Sequence, residues 1–188
     1  MREYRRRLPH RDAAGTPVFV TWRLWGSLPR ERVFLPEHLT SGEAFVVWDR
    51  LLDRTRTEPV YLAQPEIAYL VVHQLWDVVR RGLCILHAYV VMPNHVHVLW
   101  TPNISLADLV RHVKGPTACQ ANRHLGRTGE PFWQQEYFDR TVRKEKEFSR
   151  ICRYIEWNPV NAGLAAHPEE FRWSSANNAE AGLKPRAG

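Results

Sequence analysis

Cysteine is scarce in this chain, with three in 188 residues, at Cys84, Cys119 and Cys152. Their number is odd and their spacing fits no metal-type pair, so a disulfide framework and a cysteine-ligated zinc site are both excluded. They read as buried thiols in a reducing compartment. Long apolar runs are also missing, and the longest falls far short of the roughly 20 residues of a membrane span. The Arg-rich start lacks the apolar core of a signal peptide. The expectation is a cytoplasmic protein with no membrane partner. Acidic residues are absent from Leu109 to Gly129, where Arg111, Lys114, Arg123 and Arg127 occur. No internal repeat appears, and no linker divides the chain in two.

What is present is an ordinary core fraction and a basic excess. Hydrophobic residues make up 44% of the chain, enough for a normal core. The expected organisation is one domain over residues 1–176, with an excursion at about 27–65 and a flexible tail at 177–188. The net charge is +6 and the sequence pI near 9.5, which favours a polyanionic partner without proving one. The arrangement says more. Arg5, Arg6 and Arg7 cluster near the start, and Arg140, Arg143, Lys144, Lys146, Arg150 and Arg153 crowd a single helical stretch. A charge run is usually a solvated face. Three such runs, one beside a candidate nucleophile, point to phosphate binding at Arg5, Arg6, Arg7, Arg111, Lys114, Arg123, Arg143 and Arg150.

The most informative stretch is Val90-Val91-Met92-Pro93-Asn94-His95-Val96-His97-Val98-Leu99-Trp100. Its valine-rich character predicts a buried strand. Side chains two apart on a strand share a face, so His95, His97 and Leu99 project together and Val96, Val98 and Trp100 take the other side. Two imidazoles side by side on a rigid strand are two-thirds of a metal site. The plain alternative is a core strand that happens to carry two histidines.

A second element tilts the balance toward a metal. Phe148, Ile151, Cys152 and Ile155 recur at helical spacing and define an apolar stripe. Tyr154 and Asn158 are four apart and stack on one flank of that helix, about 100° from the stripe centre. Tyr154 is therefore poorly placed for a core tyrosine. Pro159 is expected to end the helix, because the residue before a proline avoids helical geometry. Asn158 would then stand at the helix end, where a C-terminal cap is its alternative role.

The remaining pattern predicts a strand at 17–26 and a helix near Glu43 to Arg54. A strong helix follows from Pro65 to Arg81. Two strands at 84–92 and 95–101 are joined tightly through Pro93-Asn94. Leu106 to about Leu125 reads as a helix with a break at Gly115-Pro116, and Pro131 to Asp139 as a short extended segment. Helices packed on one face of a mostly antiparallel sheet make an α+β sandwich.

These residues together resemble a known family. His95-Val96-His97 after Met92-Pro93-Asn94, and then Tyr154-Ile155-Glu156-Trp157-Asn158-Pro159-Val160-Asn161-Ala162-Gly163-Leu164, are similar to the REP-associated tyrosine transposases. These are relatives of the single-tyrosine insertion-sequence transposases, within the HUH endonuclease superfamily. Phe19 to Leu24 matches the family's first strand. Leu86 to His95, Phe132 to Asp139 and Trp173-Ser174-Ser175 match further segments, so the resemblance spans about residues 17 to 176. One departure is Arg140, where the family usually has histidine.

The resemblance implies a ferredoxin-like antiparallel sheet with His95 and His97 on a central strand. It implies a DNA-cleaving and joining enzyme that acts on single-stranded DNA beside hairpins, as a monomer or homodimer. Tyr154 would form a 5′-phosphotyrosine bond and leave a 3′-hydroxyl. Asn158 would be the third ligand to Mg²⁺ or Mn²⁺, beside His95 and His97. Tyr137 is the rival nucleophile from the residues alone, and reads instead as core or a DNA-stacking ring. The second reading keeps the fold and hairpin recognition without catalysis, as a regulatory or structural DNA-binding protein. A third, an unrelated metal hydrolase, would need ligands from His87, His112 or His124.

Overall fold

The computed structural model describes residues 14–27 and 59–177. The expected helix near Glu43 to Arg54, the Arg5-Arg6-Arg7 arm and nearly all of the expected tail lie outside the described residues. Strand β1 is Val18–Arg23, helix α1 Pro65–Arg80, strand β2 Cys84–Val91 and strand β3 His95–Pro102. Helix α2 is Leu106–His124, strand β4 Phe138–Thr141 and helix α3 Glu145–Asn161. The sheet order is β2-β3-β1-β4 with every neighbouring pair antiparallel, which is the ferredoxin-like α+β arrangement. The tight hairpin and the boundaries of α1 and α2 match the sequence pattern within a residue or two, whereas α3 runs three residues past its expected end.

The helices do not share one face. Val18, Val20, Trp22, Val96, Val98 and Trp100 face α1 and α2, while Phe19, Ala88, Val90 and Leu99 face the stripe of α3. Periodicity shows that a helix has an apolar stripe, but not which side of a sheet the stripe will cover. With both faces covered, β1 and β3 are buried along almost their whole length. That is why they read as near-continuous apolar runs.

Helix α2 runs unbroken through Pro116. A proline inside a helix removes one N–H and orphans the carbonyl four residues back. Here that carbonyl is His112 O, and Gln74 Nε2 of α1 donates to it at 3.1 Å. A side chain from a neighbouring helix thus supplies the missing donor, and a predicted break becomes a continuous helix. Pro159 likewise lies within the last turn of α3, which continues to Asn161. The loss is confined to one bond, since Ala162 N–H still reaches Asn158 O at 3.0 Å and Leu164 N–H reaches Pro159 O at 2.8 Å. Asn158 is consequently inside the helix and not at its end.

The edge of β2 is covered by the segment near the described C-terminus. Val91 N–H donates to Trp173 O at 2.9 Å and Ser175 N–H to Tyr89 O at 2.9 Å. Ser175 Oγ also donates to Glu156 of α3 at 3.3 Å. This shields an otherwise open sheet edge and helps fix α3 over the sheet. Arg140, the departure noted above, stands on β4 and pairs with Glu147 in the first turns of α3 at 2.5 Å. It ties the edge strand to the helix that carries Tyr154.

The expectation of three buried thiols fails at one position. Cys84 is buried, Cys152 is half-buried and Cys119 is exposed. Cys119 lies on an exposed ridge of α2 with Arg111, Gly115 and Arg123, four residues apart along the helix.

Candidate active site

Strand β3 brings His95 and His97 to the sheet face covered by α3, and both are 0% exposed. Their Nε2 atoms face each other at 3.0 Å. Each ring is held from its other nitrogen. His95 Nδ1 is 2.6 Å from Asn94 Oδ1, and His97 Nδ1 is 2.7 Å from Thr21 Oγ1. A carbonyl-type oxygen only accepts, so His95 carries its proton on Nδ1 and turns a lone pair at Nε2 inward. Thr21 is directly opposite His97 in the β1–β3 register.

Helix α3 completes the constellation from above. Asn158 is 1% exposed, and its Nδ2 lies 3.5 Å from both His97 Nε2 and Tyr154 Oη. Its Oδ1 is buried with no hydrogen-bond partner. The Tyr154 ring stands edge-on to His97 at 5.7 Å and to Phe19 at 6.1 Å between centroids. The two imidazoles, the amide and the phenol expected from the sequence therefore meet at one place. Asn158 is a buried group pointing into that place, so the capping alternative falls away.

The donor set fits a divalent cation. Two nitrogens about 2.1 Å from a shared octahedral ion stand about 3.0 Å apart, which is the Nε2 separation found here. His95 turns its Nε2 lone pair toward His97, and with the His97 proton also on Nδ1 a cation could be shared by both rings. Among the described residues no group of three His, Cys, Asp or Glu could hold an ion, so any third protein donor here is a neutral oxygen. The partnerless Asn158 Oδ1 could serve as a third donor after a half-turn of its amide, a change of assignment that leaves the shape unaltered. His87, His112 and His124 join no such group. His87 is the extra residue of a bulge in β2, 2.8 Å from Thr101 Oγ1 and edge-on to Phe148 of α3.

The basic residues divide. Arg150 of α3 is exposed and lines an open groove with Tyr154. Arg143 is exposed in the turn before that helix. Arg111 and Arg123 are exposed on α2, across the sheet from Tyr154, and Arg111 pairs with Asp108 at 2.6 Å. Lys114 turns inward, where its ammonium donates to Gln134 O at 2.7 Å and Gln135 O at 3.1 Å and lies 5.9 Å from the Tyr137 ring centre. It clasps the segment before β4. Tyr137 itself belongs to the core on the α1–α2 side, the face of the sheet opposite His95 and His97.

Burial pushes the Lys114 ammonium down to about 8 from the ordinary 10.5, with Glu136 pulling the other way. Between those values the unfolded chain holds the extra proton, so folding stability rises with pH across that window. The expected result is an unfolding midpoint that climbs from about pH 8 toward about pH 10 in wild type relative to Lys114→Met. Denaturant titrations at a series of pH values check this. Parallel profiles for the two proteins would place the ammonium in water.

Sequence reasoning passed over Thr21, Asn94 and Arg23. Arg23 lies opposite His95 in register and on the same sheet face, with Nη1 donating to Ser27 Oγ at 3.3 Å. Burial lowers its guanidinium to about 10. Thr21 and Arg23 follow from the pairing of β1 with β3, which a single strand's pattern does not contain, whereas Asn94 adjoins His95 in the hairpin and acts through its side-chain oxygen.

Comparison with solved structures identifies this fold in a REP-associated tyrosine transposase bound to a REP hairpin. The two share 22% identity and a TM-score of 0.60, over 100% of this chain and 92% of the other. A candidate transposase from Deinococcus radiodurans R1 aligns at 21% identity and a TM-score of 0.44, over 84% of this chain and 98% of that one. No curated protein matches. The family described as transposase, IS200-like, matches residues 63–158. That span takes in α1, the hairpin with His95 and His97, and α3 as far as Asn158, just over half of the chain, and on it the chain belongs to the IS200-like transposases.

Proposed function

We propose that the chain is a metal-dependent single-stranded DNA endonuclease and strand transferase that acts beside DNA hairpins through Tyr154. The observation that carries this reading is the convergence of His95 Nε2, His97 Nε2 and the Asn158 amide beneath the Tyr154 hydroxyl. Membership of a transposase family supports it, and the hairpin bound by the structural relative supports the choice of substrate.

The chemistry follows from the residues. A phenol titrates near pH 10, so a tyrosine is a weak nucleophile at neutral pH unless the phosphate is activated. His95, His97 and Asn158 are the residues suited to hold Mg²⁺ or Mn²⁺, which when bound supplies Lewis acidity at a phosphate oxygen. Tyr154 Oη attacks phosphorus, the bond from phosphorus to the 3′ oxygen breaks, and the phenolic proton passes to water. The departing oxygen takes up a proton as a 3′-hydroxyl, and the 5′ side remains linked to Tyr154. One phosphoester replaces another, so a 3′-hydroxyl can later reverse the step and join a new strand. The Asn158 amide orients the phenol, Thr21 and Asn94 keep the imidazoles turned inward, and Arg23 adds positive charge on the same face.

The test is incubation of the full chain with Mn²⁺ and labelled single-stranded hairpin DNA taken from beside its own gene. A covalent protein–DNA band on a denaturing gel is the expected result. Hairpin binding without any such band would instead identify a DNA-binding protein that has lost catalysis.

A further inference from the structure

Helix α3 carries a row of side chains that the cleavage step leaves unused. Arg150, Arg153, Tyr154, Trp157 and Asn161 line an open groove of about 390 Å³. Their spacing of three or four residues places them along one ridge. From Arg150 to Asn161 the ridge runs about 16 Å, the length of a few nucleotides. Trp157 is 40% exposed, although the stripe of the same helix already supplies the apolar contacts with the sheet. Arg150 and Arg153 are exposed, and neither enters the ion pairs found among the described residues.

An exposed indole one turn beyond two arginines, on the ridge that bears Tyr154, has the chemistry of a single-strand track. A flat ring accepts any unpaired base, and the two guanidinium groups on one side of it take the backbone that leads to that base. Paired bases present no free face, so a duplex could not use the indole. The charge of the ridge favours a polyanion over a second copy of this basic chain. Building on the proposed function, we infer that Trp157 stacks on an unpaired base adjoining the scissile phosphate while Arg150 and Arg153 hold the neighbouring phosphates. The residue would thus separate hairpins with single-stranded flanks from bare hairpins.

The experiment measures affinity of the full chain, with chelator present to prevent cleavage, for two probes. One is the hairpin from beside its own gene with unpaired flanks, and the other is the same hairpin trimmed flush. Wild type is expected to prefer the flanked probe. Trp157→Ala should weaken binding of the flanked probe roughly 5- to 150-fold, the range of one lost base–aromatic stack. It should leave the flush probe unchanged, and Trp157→Phe should keep most of the preference. Replacing Arg150 and Arg153 together by alanine should shallow the salt dependence on the flanked probe by up to about two phosphate contacts. A wild-type preference that survives in Trp157→Ala overturns the inference alone, as does an equal loss on both probes. A wild type with no preference for flanks overturns it together with the single-strand reading. A concentration-dependent dimer abolished by Trp157→Ala would reassign the indole to self-association.

Discussion

Tyr154→Phe is expected to abolish the covalent protein–DNA band while hairpin affinity stays within about twofold of wild type. The substitution removes one oxygen from a half-buried ring whose packing against Phe19 and His97 is edge-on and does not use the hydroxyl. The hydroxyl's contact with Asn158 is 3.5 Å long, at the outer limit for a hydrogen bond. Stability should therefore change by less than about 1 kcal/mol. Catalysis has no such tolerance, because deleting a covalent nucleophile costs several orders of magnitude in rate. Tyr137→Phe is the matching control. Its ring lies in the core on the opposite side of the sheet, so that variant should still form the band. A band retained by Tyr154→Phe and lost by Tyr137→Phe would overturn the assignment of the nucleophile, and with it the role given to α3.

Much of this site was legible because each half follows a simple period. Strand alternation puts His95 and His97 on one face, and helical spacing puts Tyr154 and Asn158 on one flank. What neither period contains is the approach of the two halves. That depends on α3 crossing to the face opposite α1 and α2, and an apolar stripe alone is compatible with either side. The mistaken break at Pro116 has the same origin. The donor that rescues His112 O comes from Gln74, one helix earlier, and only packing brings it close. Charge was least legible of all. Arg111, Lys114 and Arg123 look alike in sequence, yet Arg111 faces solvent beside Asp108 and the half-buried Lys114 donates to two carbonyls. Arg140 reads in the sequence as one more cation of a basic stretch and as a departure from the family pattern, and its partner is Glu147. Net charge tells how many cations a chain has, whereas the fold decides how many remain for a ligand.

Removal of either imidazole is the second large effect, and the residues behind the imidazoles make it diagnostic. His95→Ala and His97→Ala should each reduce adduct formation by at least about a hundredfold, and excess chelator should reproduce the loss in wild type. Loss of activity alone could reflect damage to a fully buried pair, so the supporting residues provide the sharper comparison. Thr21→Val keeps the volume and removes only the hydroxyl that meets His97 Nδ1 at 2.7 Å. The ring stays in place but loses the contact that fixes its orientation and proton. A change of this kind typically weakens metal binding by about 10- to 100-fold. Its activity should consequently return as Mn²⁺ is raised, while His97→Ala should not recover at any concentration. Asn158→Ala should fall between the two, since water can replace a neutral amide oxygen as a ligand but cannot orient the Tyr154 hydroxyl. Cleavage undiminished by chelator would sink the metal-dependent mechanism. A Thr21→Val defect that no added metal relieves would show the hydroxyl to be part of the core and not of the metal's support. The four substitutions thus separate loss of a ligand from loss of its orientation by how each responds to the same added ion.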